Sequence, residues 1–190
     1  MTAIPLRSVA LHALSFGMAN AAAGVHEEGS NLGDQVQFWQ KTVSIPAGSS
    51  WCDAFVYAMY LKSWCVAKGL LVGKTDHENR LIMLAHADAF TAETKLPRTG
   101  YCPTSADAAK KQGRFKPRDF MPSPGDQVLY DFKGQNEPHH TGLVISATAT
   151  LLRVVEGNTS AGGSGSQDNG DGCYIKSRGR ASVFGFVHLS

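Results

Sequence analysis

Charge is scarce in this chain and no sign dominates. Only 18% of its 190 residues are charged, and 18 Lys+Arg against 16 Asp+Glu leave a formal net charge of +2. That balance excludes the strongly basic surface of an electrostatic nucleic-acid binder, yet it suits an anionic partner such as a bacterial wall. No apolar run approaches the roughly 20 residues that a membrane-spanning helix needs. No internal repeat or long low-complexity linker divides the chain. Cysteine is sparse too: Cys52, Cys65, Cys102 and Cys173 lie far apart, without a C-x-x-C pair or a metal-ligand spacing. Free thiols are therefore expected, with neither metal nor cofactor. What is present is a length suited to one domain, residues 1–190, whose core needs no disulfide staple.

Near the start, an apolar stretch running into Ala-Asn-Ala-Ala-Ala looks superficially like a secretory signal. Ser8, His12, Ser15 and Asn20 interrupt it, and Leu6, Val9, Ala13, Gly17 and Ala21 recur at helical spacing. The segment reads as a first helix over residues 3–22, and the protein as one made in the cytoplasm and reaching its target by lysis or delivery. Further helices are expected over 30–40 after a Ser/Asn cap, over 51–68 with Gly69 as its stop, over 76–93 opened by Asp76, and over 104–112 opened by Thr104. Beyond the proline-rich PRDFMPSPGD the pattern changes. QVLYDF, TGLVIS, LLRVVE, CYIK and SVFGFVHL are short β-rich runs separated by Gly/Asn/Asp turns. A helical half (about 1–117) followed by an antiparallel half (about 124–190) predicts an α+β domain.

Cys52 stands out by position, in SSWCDAFV, after a Gly-Ser-Ser loop and in the first turn of the strongest predicted helix. Unpaired backbone N–H groups and the positive end of the helix dipole favour a thiolate there. Such a thiolate is a nucleophile at neutral pH, and the same N–H groups can hold an oxyanion. Taken alone, a small buried residue that opens a helix is the commoner explanation.

The companions shift that balance. A nucleophilic cysteine needs a base, and the base needs an orienting group. His140 opens TGLVIS, while Glu156 and Asn158 lie in VVEGNTS, two residues apart and so on one face of an extended strand. An antiparallel hairpin would bring them to the same end. His139 competes as the base, but neighbouring strand residues face opposite ways and the strand register favours His140.

WCDAFV, PSPGDQVLY, HTGLVIS and VVEGNTS, with an upstream GVHEEGSNLGDQV and a closing GFVHL, resemble the CHAP domain over roughly residues 20–188. CHAP domains are papain-like cysteine, histidine-dependent amidohydrolases/peptidases of bacterial and phage wall hydrolases. The resemblance implies a papain-like α+β fold, with Cys52 as nucleophile, His140 as general base and then acid, Glu156 orienting the imidazole, and Asn158 completing the set. It further implies a phage endolysin-like or bacterial lytic enzyme: a monomeric amidase or endopeptidase acting on peptidoglycan. Two departures stand out. The stretch from Leu70 to Pro117 is longer and more helical than in compact members. Gly48, Ser49, Ser50 and Trp51 stand where some members carry a glutamine or an acidic calcium loop. The Cys52 backbone N–H is then the candidate for one oxyanion donor, and the second is unassigned.

Trp51 is a candidate wall of the substrate cleft or else core, and Glu27, Glu28 and Asn31 are candidates to line the cleft or to order the leader. AGGSGSQDNGDG (161–172) resembles a calcium-binding nonapeptide but occurs once, so a turn explains it more simply. Cys65, Cys102 and Cys173 are expected to be structural thiols. A catalytically silent wall-binding or virion structural protein, and a cysteine amidase acting on another peptide, are the competing readings.

Overall fold

A helix that is apolar on every side must be covered on every side. Cys52–Ala67 (α3) is that helix, with 13 of its 16 residues buried. The computed structural model describes residues 4–162 and 166–190. Around α3 stand α1 (Leu6–Ala22), α2 (Asp34–Thr42) and α4 (Asp76–Thr94), and α5 (Cys102–Lys111) follows. The strands come next: β1 (Phe115–Lys116), β2 (Gln127–Tyr130), β3 (His140–Ala147), β4 (Leu151–Thr159), β5 (Gly172–Gly179) and β6 (Val183–Val187). They form one antiparallel six-stranded sheet in the order β1-β6-β2-β3-β4-β5. The chain is α+β, helices first. Among the described residues no helix is long and apolar enough to cross a membrane.

Several helix starts differ from the sequence-based expectation, each for a local reason. The first helix begins at Leu6 behind Pro5, and residue 3 of the expected range lies outside the described residues. Neither Ser30 nor Asn31 caps α2, which starts after Gly33 at φ 110°. α4 does start at Asp76 as expected, and Thr75 caps it: its Oγ1 accepts from Glu78 N at 3.3 Å while its own N–H donates to Glu78 Oε2 at 2.8 Å, a reciprocal capping box. α5 begins at Cys102, two residues before the expected Thr104, because Pro103 fits the first turn, where its missing N–H costs no hydrogen bond. α3 ends as expected at Gly69, whose φ of +71° allows Leu70 N to donate to Cys65 O at 3.0 Å.

The main core lies between the helices and one face of the sheet, with Trp39, Trp51, Phe55, Leu61, Phe90, Leu143 and Val155 buried. Each such side chain contributes about 1.5–3 kcal/mol through burial. A smaller cluster, Val128, Tyr130, Val144, Val154 and Phe186 among them, forms separately around the sheet. Gly157 brings β4 close to α3, since a Cβ there would stand 2.5 Å from the Trp51 ring. At the turn before β2, the fully buried Asp126 accepts from Arg7 Nη1 of α1 at 2.8 Å and from Leu189 N at 3.2 Å, with His188 Nδ1 at 2.9 Å. Both ends of the described chain are moored to that carboxylate.

Candidate active site

Cys52 is the first residue of α3, so its own N–H and those of the first turn lack intrahelical acceptors. What fixes it there is Trp51. The Trp51 indole is fully buried, packs on Trp39 at 5.3 Å between ring centroids, and donates from Nε1 to Glu27 Oε1 at 2.7 Å. Glu27 also accepts from Asn31 N at 2.8 Å, and the Asn31 carbonyl accepts from Gln40 at 3.0 Å. The leader therefore braces the helix start. Trp51 belongs to the core and Asn31 is buried, while Glu28 is exposed, and none of the three is among the residues that line the cleft at Cys52. Of the alternatives open to them, core packing for Trp51 and leader ordering for Asn31 are the ones found, in place of the cleft.

His140, the first residue of β3, is fully buried at the end of the sheet. Its Nε2 lies 2.9 Å from Glu156 Oε2. Nδ1 is buried without a fixed hydrogen bond and is the nitrogen left to exchange a proton with Cys52. His139 turns elsewhere, its Nε2 lying 3.3 Å from Asp131 Oδ1. Sequence reasoning gave no sign of the next partner, Arg178 on β5. It grips Glu156 with two parallel bonds, Nε to Oε1 at 3.0 Å and Nη2 to Oε2 at 2.5 Å, and stacks 5.1 Å above the Phe132 ring. Charge-assisted bidentate pairing of this kind fixes a carboxylate in orientation as well as in charge.

The electrostatics follow from these contacts. The Cys52 thiol is lowered from 9.0 to about 5, chiefly by the hydrogen bond from Cys102; burial opposes this, and His140 and the Asp53 backbone N–H reinforce it. For His140, burial disfavours the charged ring, but the Glu156 carboxylate and the Cys52 sulfur outweigh it and raise the imidazole to about 9. Burial also works against charge on Glu156, yet Arg178 and His140 hold it below its ordinary value. These shifts favour a thiolate at Cys52 and an imidazolium at His140 near neutral pH.

Asn158 does not join this row. The β4–β5 ladder slips between Glu156 and Thr159, and Asn158 takes φ 60°. Its Nδ2 donates to Asn169 Oδ1 at 3.4 Å, which also accepts from Ser50 Oγ at 3.3 Å. The expectation that Asn158 shares the Glu156 face fails because the bulge breaks the two-residue alternation. Asn158 instead ties the loop after β4 to the residues preceding α3.

Cys102 is the larger correction. It opens α5, and its Sγ lies 3.9 Å from Cys52 Sγ. It is no remote structural thiol; the Pro that follows it was the sequence signal for a helix starting there. Cys65 and Cys173 are buried, and burial raises both thiols, Cys65 to about 12. Asp53, beside Cys52, accepts from Ser105 Oγ at 2.7 Å and Gln127 Nε2 at 2.8 Å, linking α3 to α5 and β2. Burial pushes its carboxyl up to about 7 against those two bonds. A cleft of about 300 Å³ opens onto the two sulfurs, rimmed by Ser50, Tyr101, Lys133, His139, Asp168 and Asn169. Asp168 and Asn169 come from the segment expected to be a plain turn, of which residues 163–165 lie outside the described residues.

No family model, curated protein or solved structure gives a significant match to the chain. The functional reading therefore rests on the residues and their arrangement.

Proposed function

We propose that the protein is a cysteine-dependent amide hydrolase acting on the peptide part of bacterial peptidoglycan, at a stem bond, a crosslink or the muramoyl–alanine amide. One observation carries the chemistry. A helix-initiating thiol, an imidazole and a carboxylate stand in sequence, with the carboxylate locked by Arg178 and the imidazole Nδ1 left free. The wall substrate rests on the resemblance of WCDAFV, HTGLVIS and VVEGNTS to the CHAP domain, and the mild net charge of +2 suits an anionic polymer.

In this reading the Cys52 thiolate attacks the amide carbonyl carbon, and the C=O pair moves to oxygen. The N–H groups at the start of α3 stabilise that oxyanion. Collapse breaks the C–N bond as His140 Nδ1–H gives its proton to the departing amine. A water then loses a proton to the same nitrogen, attacks the thioester and expels the thiolate. Glu156 keeps Nε2 protonated and stabilises the imidazolium throughout. The enzyme would work as a monomer, reaching the wall after lysis or delivery.

The test is digestion of purified sacculi. Release of new amino groups that Cys52→Ala abolishes, with an unchanged circular dichroism spectrum, supports the reading; equal release by the variant overturns it. Mass spectrometry of the fragments identifies the bond. Hydrolysis of casein but not sacculi would move the substrate to a soluble peptide. Sacculus binding with no soluble product and no alkylation of Cys52 at neutral pH would mark a silent binding protein.

A further inference from the structure

We propose that Cys52 and Cys102 form a reversible disulfide on exposure to peroxide, which switches the nucleophile off and shields it from irreversible oxidation. The placement of Cys52 as a reactive thiol belongs to the reading above; the bond itself goes beyond that reading and is detectable without any activity.

Three observations meet here. The two sulfurs are 3.9 Å apart, and a disulfide needs about 2.05 Å. Each cysteine is the first residue of its helix, α3 or α5, where the backbone N–H has no intrahelical partner. The sulfurs can thus close the remaining gap without breaking a helical ladder. Both residues also line the same cleft of about 300 Å³, which admits a small oxidant although each is only 3% exposed.

The chemistry balances in two steps. The Cys52 thiolate attacks one oxygen of hydrogen peroxide; an S–O bond forms, the O–O bond breaks, and hydroxide leaves. Cys52 is now a neutral sulfenic acid. Cys102 was held protonated first by its hydrogen bond to the Cys52 thiolate and then by burial, and the first of these causes disappears with the negative charge. Its sulfur attacks the sulfenic sulfur, an S–S bond forms, and the S–O bond breaks. The Cys102 proton leaves with the hydroxyl as water. Cysteines that lack such a resolving partner go on to sulfinic and sulfonic acids.

The experiment treats the full chain with a small excess of hydrogen peroxide and maps the peptides without reduction. The expected result is a loss of two hydrogens and a Cys52–Cys102 linked peptide, with hydrolysis lost and then restored by dithiothreitol. In Cys102→Ser, the linked peptide is absent, Cys52 advances to sulfinic acid, and dithiothreitol restores nothing. Wild-type protein that carries sulfinic acid at Cys52 without the link, or a link from Cys52 to Cys65 or Cys173, overturns the proposal. If sacculi are never cleaved, the mass map still decides the bond, so failure of the hydrolase reading and failure of the switch are distinguishable.

Discussion

Glu156 fills the space where a side chain at Gly142 would lie. A Cβ built on Gly142 would stand 2.6 Å from Glu156 Cγ and 2.7 Å from the Val155 carbonyl oxygen. The carboxylate reaches His140 across a strand position left empty for it. Gly142→Ala should therefore displace Glu156 and lower kcat on the order of 100-fold with a smaller change in KM, the size of effect that a 1 Å misplacement produces. Steady-state kinetics of the variant checks this; an unaltered kcat would show that Glu156 need not sit where it does.

Arg178→Lys keeps a positive charge but loses the two-pronged grip on Glu156. The expected outcome is at least about a tenfold fall in kcat. Arg178→Ala leaves His140 as the one remaining charge partner of the buried Glu156 and should cost up to about 3–5 kcal/mol of stability, measurable by urea unfolding. Lysine and arginine giving equal rates would remove Arg178 from the positioning chain.

Glu156→Gln and Asn158→Ala should separate sharply. The first removes the charge facing the His140 Nε2 and is expected to cost on the order of 100-fold or more in kcat. Asn158 bonds Asn169 rather than the imidazole, so its truncation should cost less than about tenfold. Comparable losses in the two variants would restore Asn158 to the catalytic row.

On the proposed hydrolase reading, the Cys52–His140 pair has a defined pH window. Cys52 loses its proton near 5 and His140 near 9, so kcat/KM should rise as pH passes the first value and fall as it passes the second. Below that window the nucleophile is protonated, and above it the leaving amine has no acid. Alkylation of Cys52 by iodoacetamide should rise through the lower value in wild type and at higher pH in His140→Ala. An alkylation midpoint near 9 in wild type would refute the ion pair.

Asp53 sets a pH dependence of stability. Its carboxyl is raised from 3.8 to about 7, chiefly by burial, so in that interval the folded chain keeps a proton that the unfolded chain has released. Stability present below the lower value is thus lost as pH climbs through the upper, by at most about 1.4 kcal/mol per pH unit. Asp53→Asn should flatten that slope, as urea midpoints measured across the interval would show. An unchanged slope would mean that other groups set it.

Local chemistry made part of this site readable from the sequence. A Gly-Ser-Ser loop running into an apolar helix put Cys52 at a helix start, and strand alternation singled out His140 and Glu156. Arg178 was invisible because its role depends on which strand flanks β4 and on a reach along that strand, neither of which a local pattern encodes. Cys102 falls outside the helix that a Thr104 start predicts, although Pro103 points to an earlier start. Asn158 failed for a different reason: one slipped residue in the ladder undoes the alternation on which the inference relied. The two-residue β1 carries too short a pattern to be seen, and only its pairing with β6 defines it.

Arg7 and Leu189 meet at the Asp126 carboxylate, so α1 and the segment after β6 share one anchor although 182 positions separate them. The sulfur, imidazole and carboxylate of the site are gathered in the same way from positions 52, 140 and 156. The order in which the polypeptide delivers its reactive groups is, on this architecture, incidental to where they end up.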